Sequence, residues 1–296
     1  MPVGHQKWFV NCFENILQRS INPAAFSWLK EKISQFSDEN KNAVFFAAFT
    51  AVPRQTGKNL VSISEEEKQE IAEKGEEFYL SNYTVDRLAR VYLLLNWPSG
   101  DKVNYLKTIT QLFKAAEMNE LVALYGALPL LIYPEDWAKQ CAEGIRSNIG
   151  TVLEAIICNN PFPAQYLEEA AWNQLVLKAF FTEKPINQII GLDARANIHL
   201  SNTLIDYAHE RWAAGRSVEP QLWRLVGKFI DVLTFSNIQR VFETGTQIEK
   251  QAAALACAQS VFKPAQTLLE TMPDLKLAIA NNNLNWHVIA NEIPSH

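Results

Sequence analysis

The side chains best suited to binding or chemistry are concentrated between Trp172 and Arg224 of this 296-residue sequence. Trp172-Asn173-Gln174 opens the stretch, with Lys178 one helical turn after Gln174. Arg195 and Asn197 follow, then Tyr207-Ala208-His209-Glu210-Arg211-Trp212, and Leu222-Trp223-Arg224 closes it. Carboxamides, guanidiniums and indoles recognise ligands through hydrogen bonds and ring faces. They do not by themselves make a nucleophile or a general acid. The chemistry implied is recognition.

Catalytic and metal-binding patterns are thin. Asp206, His209 and Glu210 are close in sequence, but a helical wheel puts Asp206 and Glu210 opposite the apolar stripe of Leu204, Ile205, Ala208 and Trp212. His209 falls at the edge of that stripe, and the H-E-x-x-H spacing that sets two zinc ligands on one face is absent. Gly57-Lys58 lacks the earlier glycine and the following Ser or Thr of a phosphate loop. No Asp-Asp-x-x-Asp run or Gly-x-Ser-x-Gly elbow occurs. Neither a metal nor a cofactor is expected. An enzyme stays open, but a non-catalytic protein is favoured.

The elements that must position these residues are helices. Gln165–Phe181 carries apolar residues in nearly every direction of the wheel, which predicts a buried helix with Asn173 among packed side chains. Asn197 is a plausible N-cap for a helix over 198–214, placing Tyr207 and Arg211 at one edge of its stripe. Trp137–Cys158 reads as one helix of about six turns, with Asn148 in the middle of its core face. A polar group at such a position must be paired or must serve a ligand. Asn148, Asn173, Gln174, Lys178, Arg195, Tyr207, His209 and Arg211 are therefore the candidate ligand-binding residues.

Elsewhere the spacing predicts helices over Trp8–Leu17, from Pro23, and over Asn42–Val52 with Pro53 as a stop. Ser64 with Glu67 forms a capping box, and Tyr83–Trp97 is a strong helix with Asp86 and Arg90 as a surface ion pair. Further helices are expected over 102–114, 118–128, 220–233, 236–242, 246–259 and 264–269. The run Asn281–Asn285 begins a loosely ordered tail over 281–296. Nothing alternates with period two, so the fold class is all-α: a multi-helical layered array or α-solenoid-like single domain over 1–296.

Composition sets outer bounds. A net charge of −5 gives no electrostatic footprint for nucleic acid or an anionic membrane. Cys12, Cys141, Cys158 and Cys257 are scattered, as reduced thiols in a cytoplasmic protein would be. The apolar run Leu121–Tyr133 is too short to span a bilayer, and the N-terminus has no secretory pattern. A soluble chain without direct membrane insertion is expected.

Several segments together resemble the EboA family. They are Ala48-Phe49 through Pro53-Arg54, Asp86 through Arg90 with Leu93-Leu94-Leu95, Glu120 through Tyr125, Leu128-Pro129-Leu130, and Glu143 through Ile149. Asn160-Pro161-Phe162-Pro163, Trp172-Asn173-Gln174, Gly191 through Asn197, and Asp206 through Arg216 continue the likeness, over about 45–270. Ser147 stands where the family pattern has Thr, and Leu175 where it has Met. The resemblance implies a role in moving a natural-product precursor or related metabolite towards the periplasm. It also implies partners among small metabolites or other proteins of the same gene cluster. It carries no catalytic residues. A metabolite-binding traffic factor, a helical scaffold for pathway proteins, and an enzyme of unknown reaction are the three classes left.

Overall fold

The computed structural model describes residues 3–39, 41–80 and 82–292. It is all-α: helices account for 72% of the chain, and the described residues form no sheet, only an isolated bridge between Leu60 and Thr84. Its contacts fall into two compact units, residues 1–168 and 169–296. The sequence reading treats 1–296 as one domain; the division lies just after the proline-rich break at 159–163.

In the first unit, α1 (Val3–Ser20), α2 (Pro23–Glu39) and α3 (Asn42–Thr56) precede the acidic helix α4 (Glu65–Lys74). Asn22 caps α2 by accepting from the Ala25 amide, and Ser64 with Glu67 makes the expected reciprocal capping box. Pro53 does not stop α3. It sits inside the last turn, and the helix runs on to Thr56 before Gly57, at φ 75°, ends it.

Helix α5 (Val85–Leu95) is the spine of this unit, packed against α1, α3 and, later in the chain, α7 (Met118–Gly126), which follows α6 (Lys102–Ala115). Every α5 residue but Arg87 is buried. A helix enclosed on all sides must enclose its charges too. Asp86 and Arg90 are accordingly 5% and 3% exposed, so the expected surface pair is an interior one. The pattern misled because the two residues four apart, read as a polar face, point at α3 and α7 and not at water.

The predicted six-turn helix over 137–158 is two helices, α8 (Ala138–Ile145) and α9 (Gly150–Ile157). Arg146–Ile149 leave helical geometry between them, with the Ile149 amide donating to Ser147 Oγ. Asn148 is thus on an exposed link and not on a core face. Gly144, inside α8, admits a close approach: a Cβ there would collide with the Tyr125 ring of α7 and with Ile156 of α9. A short α10 (Phe162–Tyr166) ends the unit.

In the second unit, α11 (Glu169–Phe181) buries Trp172, Leu175, Val176, Ala179 and Phe180, an i, i+3, i+4, i+7 stripe, while Gln174 and Phe181 are exposed. The helix is therefore amphipathic and not apolar all round. Helix α12 (Ile198–Ala213) is capped by Asn197, which accepts from the Leu200 amide at 2.9 Å. The short α13 (Leu222–Val226) leads through a 3-10 turn at Gly227–Phe229 to α14 (Phe235–Thr244).

Helix α15 (Gln247–Gln259) is the spine of this unit, packed against α13, α14, α16 (Lys263–Glu270), α17 (Pro273–Ala280) and α18 (Trp286–Glu292). Residues Ala252 through Cys257 are all buried, and their small side chains let neighbours approach closely. The loosely ordered tail expected from 281 is instead a turn followed by α18, with Leu284 and Ile289 buried, as far as residue 292. Residues 293–296 of that expectation lie outside the described residues.

Candidate binding site

Three polar clusters compete for the role of a site. The first is inside unit 1. Arg90 donates from Nη1 to Asp86 Oδ2 at 3.1 Å and from Nε to the Phe49 carbonyl at 3.1 Å, tying α5 to α3. Burial pulls the Arg90 pKa down, and Asp86 with the buried Glu120 of α7 pulls it back up. Beside it, the Arg87 guanidinium lies 3.8 Å from the Tyr83 ring centroid, and Tyr83 donates to the Gly126 carbonyl at 3.3 Å. A Cβ on Gly126 would strike both Arg87 and Tyr83, so only glycine admits this packing. The cluster is enclosed. Its role is to join three helices.

The second cluster is at the start of α12. Asn173 and Asn197 exchange two hydrogen bonds, at 2.8 and 3.2 Å, so Asn173 orients the carboxamide that caps α12. Arg195 places its guanidinium 4.8 Å from the Trp172 ring; burial lowers its pKa, and Glu169 opposes that. Asn173 is half-buried and bonded to protein. Gln174 is exposed and Lys178 half-buried along the adjacent edge of α11.

The third cluster gathers at the other end of α12. Tyr207 packs edge-on to Phe181 at 4.7 Å and donates to the Phe180 carbonyl at 3.4 Å. Phe180 and Phe181 thus meet α12 fully ten residues after Asn173 meets its start, so α11 and α12 run parallel. The separation from Asn197 to Arg211 along the axis is roughly 20 Å at 1.5 Å per residue. Asn173 and Arg211 therefore cannot converge on one small ligand. Asn148, on its exposed link, belongs to the first unit and the other two to the second.

Arg211 has a local task. Helix α12 ends in a Schellman arrangement: Gly215 takes φ 67°, its amide bonds the Trp212 carbonyl, and the Arg216 amide bonds the Arg211 carbonyl. The Arg211 side chain then donates from Nε to the Ser217 carbonyl at 2.9 Å. Backbone and side chain of one residue fix the loop that presents Arg216 and Ser217.

That loop forms one wall of an open cleft of about 220 Å³, lined by Trp212, Arg216, Ser217, Val241, Thr244 and Glu249, among others. The opposite wall is the end of α14 and the first turn of α15. Trp212 is held from several sides. Arg240 lies 4.4 Å from its ring, Trp223 stacks at 5.9 Å and 24°, and His209 lies 5.8 Å away. His209 Nε2 is 2.6 Å from Asn237 Oδ1, so with that oxygen accepting, the proton is on Nε2. Glu249 closes the capping box of α15 by accepting from the Thr246 amide at 2.7 Å and its hydroxyl at 2.8 Å. The cleft presents the Arg216 cation, the Ser217 hydroxyl, the Trp212 indole and the Glu249 carboxylate, while the Thr244 hydroxyl donates to the Arg240 carbonyl at 2.9 Å.

The candidate residues named from sequence include His209, Arg211 and Tyr207 but not Arg240 on the Trp212 ring, Asn237 against His209, or the lining residue Arg216. Arg216 follows the Ala-Ala-Gly that signals a helix end, and a residue placed just after such an end is a usable signal.

Among the described residues no helix is long and apolar enough to cross a membrane. No group of three or more His, Cys, Asp and Glu among the described residues is placed to hold a metal ion. A family model described as metabolite traffic protein EboA matches residues 9–227, and the chain belongs to that family. The match begins earlier than the resemblance read from the sequence and ends before it, at the 3-10 turn after α13. No curated protein and no solved structure matches the chain.

Proposed function

We propose that this chain is a non-catalytic metabolite-binding traffic factor, and that the Trp212 cleft is where a small polar metabolite sits on its way towards the periplasm. The supporting observation is the way the cleft is built. Arg211 fixes the loop carrying Arg216 and Ser217, while Arg240, Trp223 and His209 fix Trp212. Such bracing holds recognition groups in place before a ligand arrives, which lowers the ordering cost of binding. The volume is below the roughly 300–1,000 Å³ of sites for drug-sized ligands. The fitting ligand is small, with hydroxyl or acidic groups for Arg216 and Ser217 and an apolar face for Trp212.

Native mass spectrometry of protein purified from its own host tests this. The expected result is a small-molecule mass retained by the wild type and lost from Trp212→Leu and Arg216→Ala. Retention by both variants, or no retained mass on the wild type, overturns the assignment.

A further inference from the structure

The most exposed large apolar side chains of unit 2 gather at one end of it. Val232 is 78% exposed, Leu233 80% and Val261 87%. Val232 and Leu233 precede α14, and Val261 follows α15. Because α14 and α15 are joined by the short Gly245-Thr246 turn, the start of the first lies beside the end of the second. A T-shaped contact between Phe235 and Phe262, 5.7 Å between ring centres, ties the two loops directly. Gly227 reinforces the arrangement: a Cβ there would meet the Ala256 backbone at 2.9 Å, so the chain entering the first loop lies against the last turns of α15.

The first loop is rigidly made. Asp231 Oδ1 accepts from the Leu233 amide, the Thr234 amide and the Thr234 hydroxyl, and Thr234 Oγ1 accepts from the Asp231 amide. That closed turn folds the carboxylate back onto its own backbone and leaves Val232 and Leu233 projecting. A folded chain that pins aliphatic side chains outward on a capped turn has given them a surface to meet.

The geometry points to a lipid bilayer with anionic headgroups as that surface. The aliphatic groups stand on two loop tips, a convex shape that enters an acyl layer. Phe229, Phe235 and Phe262 lie half-buried close behind them in the chain, where aromatic rings match the headgroup boundary. Lys228 and Lys263 flank the two loops, both exposed, with stems long enough to keep the ammonium at the headgroups while the tips go deeper. Charge complementarity favours an anionic surface: two exposed lysines edge the patch, Lys228 also donating to the Asp193 carbonyl at 3.4 Å, while the Asp193 carboxylate is paired with Arg224 and Asp231 Oδ1 is taken up by its own turn. The chain's overall −5 gives no hint of this, because surface attraction is local and falls off within a Debye length. Docking of this kind is peripheral and reversible, and it does not rest on the Trp212 cleft.

Co-sedimentation of the full chain with vesicles tests it. The vesicles are equal parts phosphatidylglycerol and phosphatidylcholine in one arm and phosphatidylcholine alone in the other. The wild type should sediment with the anionic vesicles and far less with the neutral ones. Lys228→Gln with Lys263→Gln should weaken binding by about thirtyfold. Val232→Ser, Leu233→Ser and Val261→Ser combined should abolish it, with the circular dichroism spectrum unchanged because these side chains are already in water. Wild type left in the supernatant with both vesicles, or a triple variant that sediments like the wild type, refutes the proposal. So does failure to sediment combined with a dimer that the triple variant breaks in light scattering, which would make the patch a contact between two copies. The triple variant should still retain any small-molecule mass seen by native mass spectrometry, so failure of this inference and failure of the cleft assignment are told apart.

Discussion

Unit 1 and unit 2 each hold a cluster of arginines and aromatic rings on a helix, and they use it in opposite ways. In unit 1, Arg90, Asp86 and Glu120 are enclosed between α3, α5 and α7, and the charges face one another. In unit 2, Arg240, Trp212 and His209 brace a cleft that opens to solvent. The same residue types fix helix positions where they are sealed and stand at an open cleft where they are not. On the function proposed above, burial, and not residue type, separates a structural cluster from a binding one.

The comparison breaks first at Asp86. Asp86→Leu strands the Arg90 charge in the interior and should cost about 3–5 kcal/mol in urea unfolding. Pairing it with Arg90→Met should restore much of that loss, because two apolar groups of similar volume replace the ion pair. A single variant within about 1 kcal/mol of wild type would show that the cluster is not sealed.

Asn173→Leu comes next. It removes the partner that orients the α12 cap and should lower stability by about 1–3 kcal/mol. Unchanged stability with lost metabolite retention would move the ligand to the start of α12.

A third measurement treats the two units alike. Burial pushes the pKa of the Cys141 thiol in unit 1 and of the Cys257 thiol in unit 2 up to about 12, from an ordinary thiol value of 9.0. Native protein at pH 8 should therefore leave both unmodified by iodoacetamide, read by mass spectrometry. With the folded pKa above the unfolded one, their contribution to stability is whole below pH 9 and declines as pH rises from there towards 12. Rapid native labelling of one and not the other would show that its unit opens locally.

The smallest effect on stability should come from Arg240→Gln. Its contact with Trp212 is near the surface and is worth about 0.5–1 kcal/mol. Metabolite retention should nonetheless fall, since Trp212 loses one of its supports. A loss of stability comparable to Asp86→Leu would erase the distinction between the two clusters.

The helical class was fully legible, because apolar spacing and caps such as Ser64, Asn197 and Thr246 are local signals. The two spines were harder to recognise. Helix α5 looked half-exposed because Asp86 and Arg90 read as a polar face, and pairing across helices cannot be seen from one helix alone. Helix α15 was under-read because alanines carry little apolar weight, although a run of them is what lets five helices crowd one. None of the candidate residues lines the cleft: His209 packs on Trp212, Arg211 holds the loop behind it, and Tyr207 meets Phe180 and Phe181. Asn148 and Asn173 were chosen from helix wheels that assumed unbroken or fully enclosed helices, and those assumptions failed at 146–149 and at Gln174.

Gly227 has a consequence for how such a protein can be inherited and cut. The family match ends at that residue, yet its missing side chain is what admits the Ala256 backbone of α15. The shared portion of the sequence therefore stops in the middle of a cooperative folding unit, with α13 still leaning on a helix from beyond the boundary. A fragment ended at Gly227 would expose Trp223 and Leu225 and should aggregate, whereas a cut at Glu168 leaves a unit with its own enclosed spine.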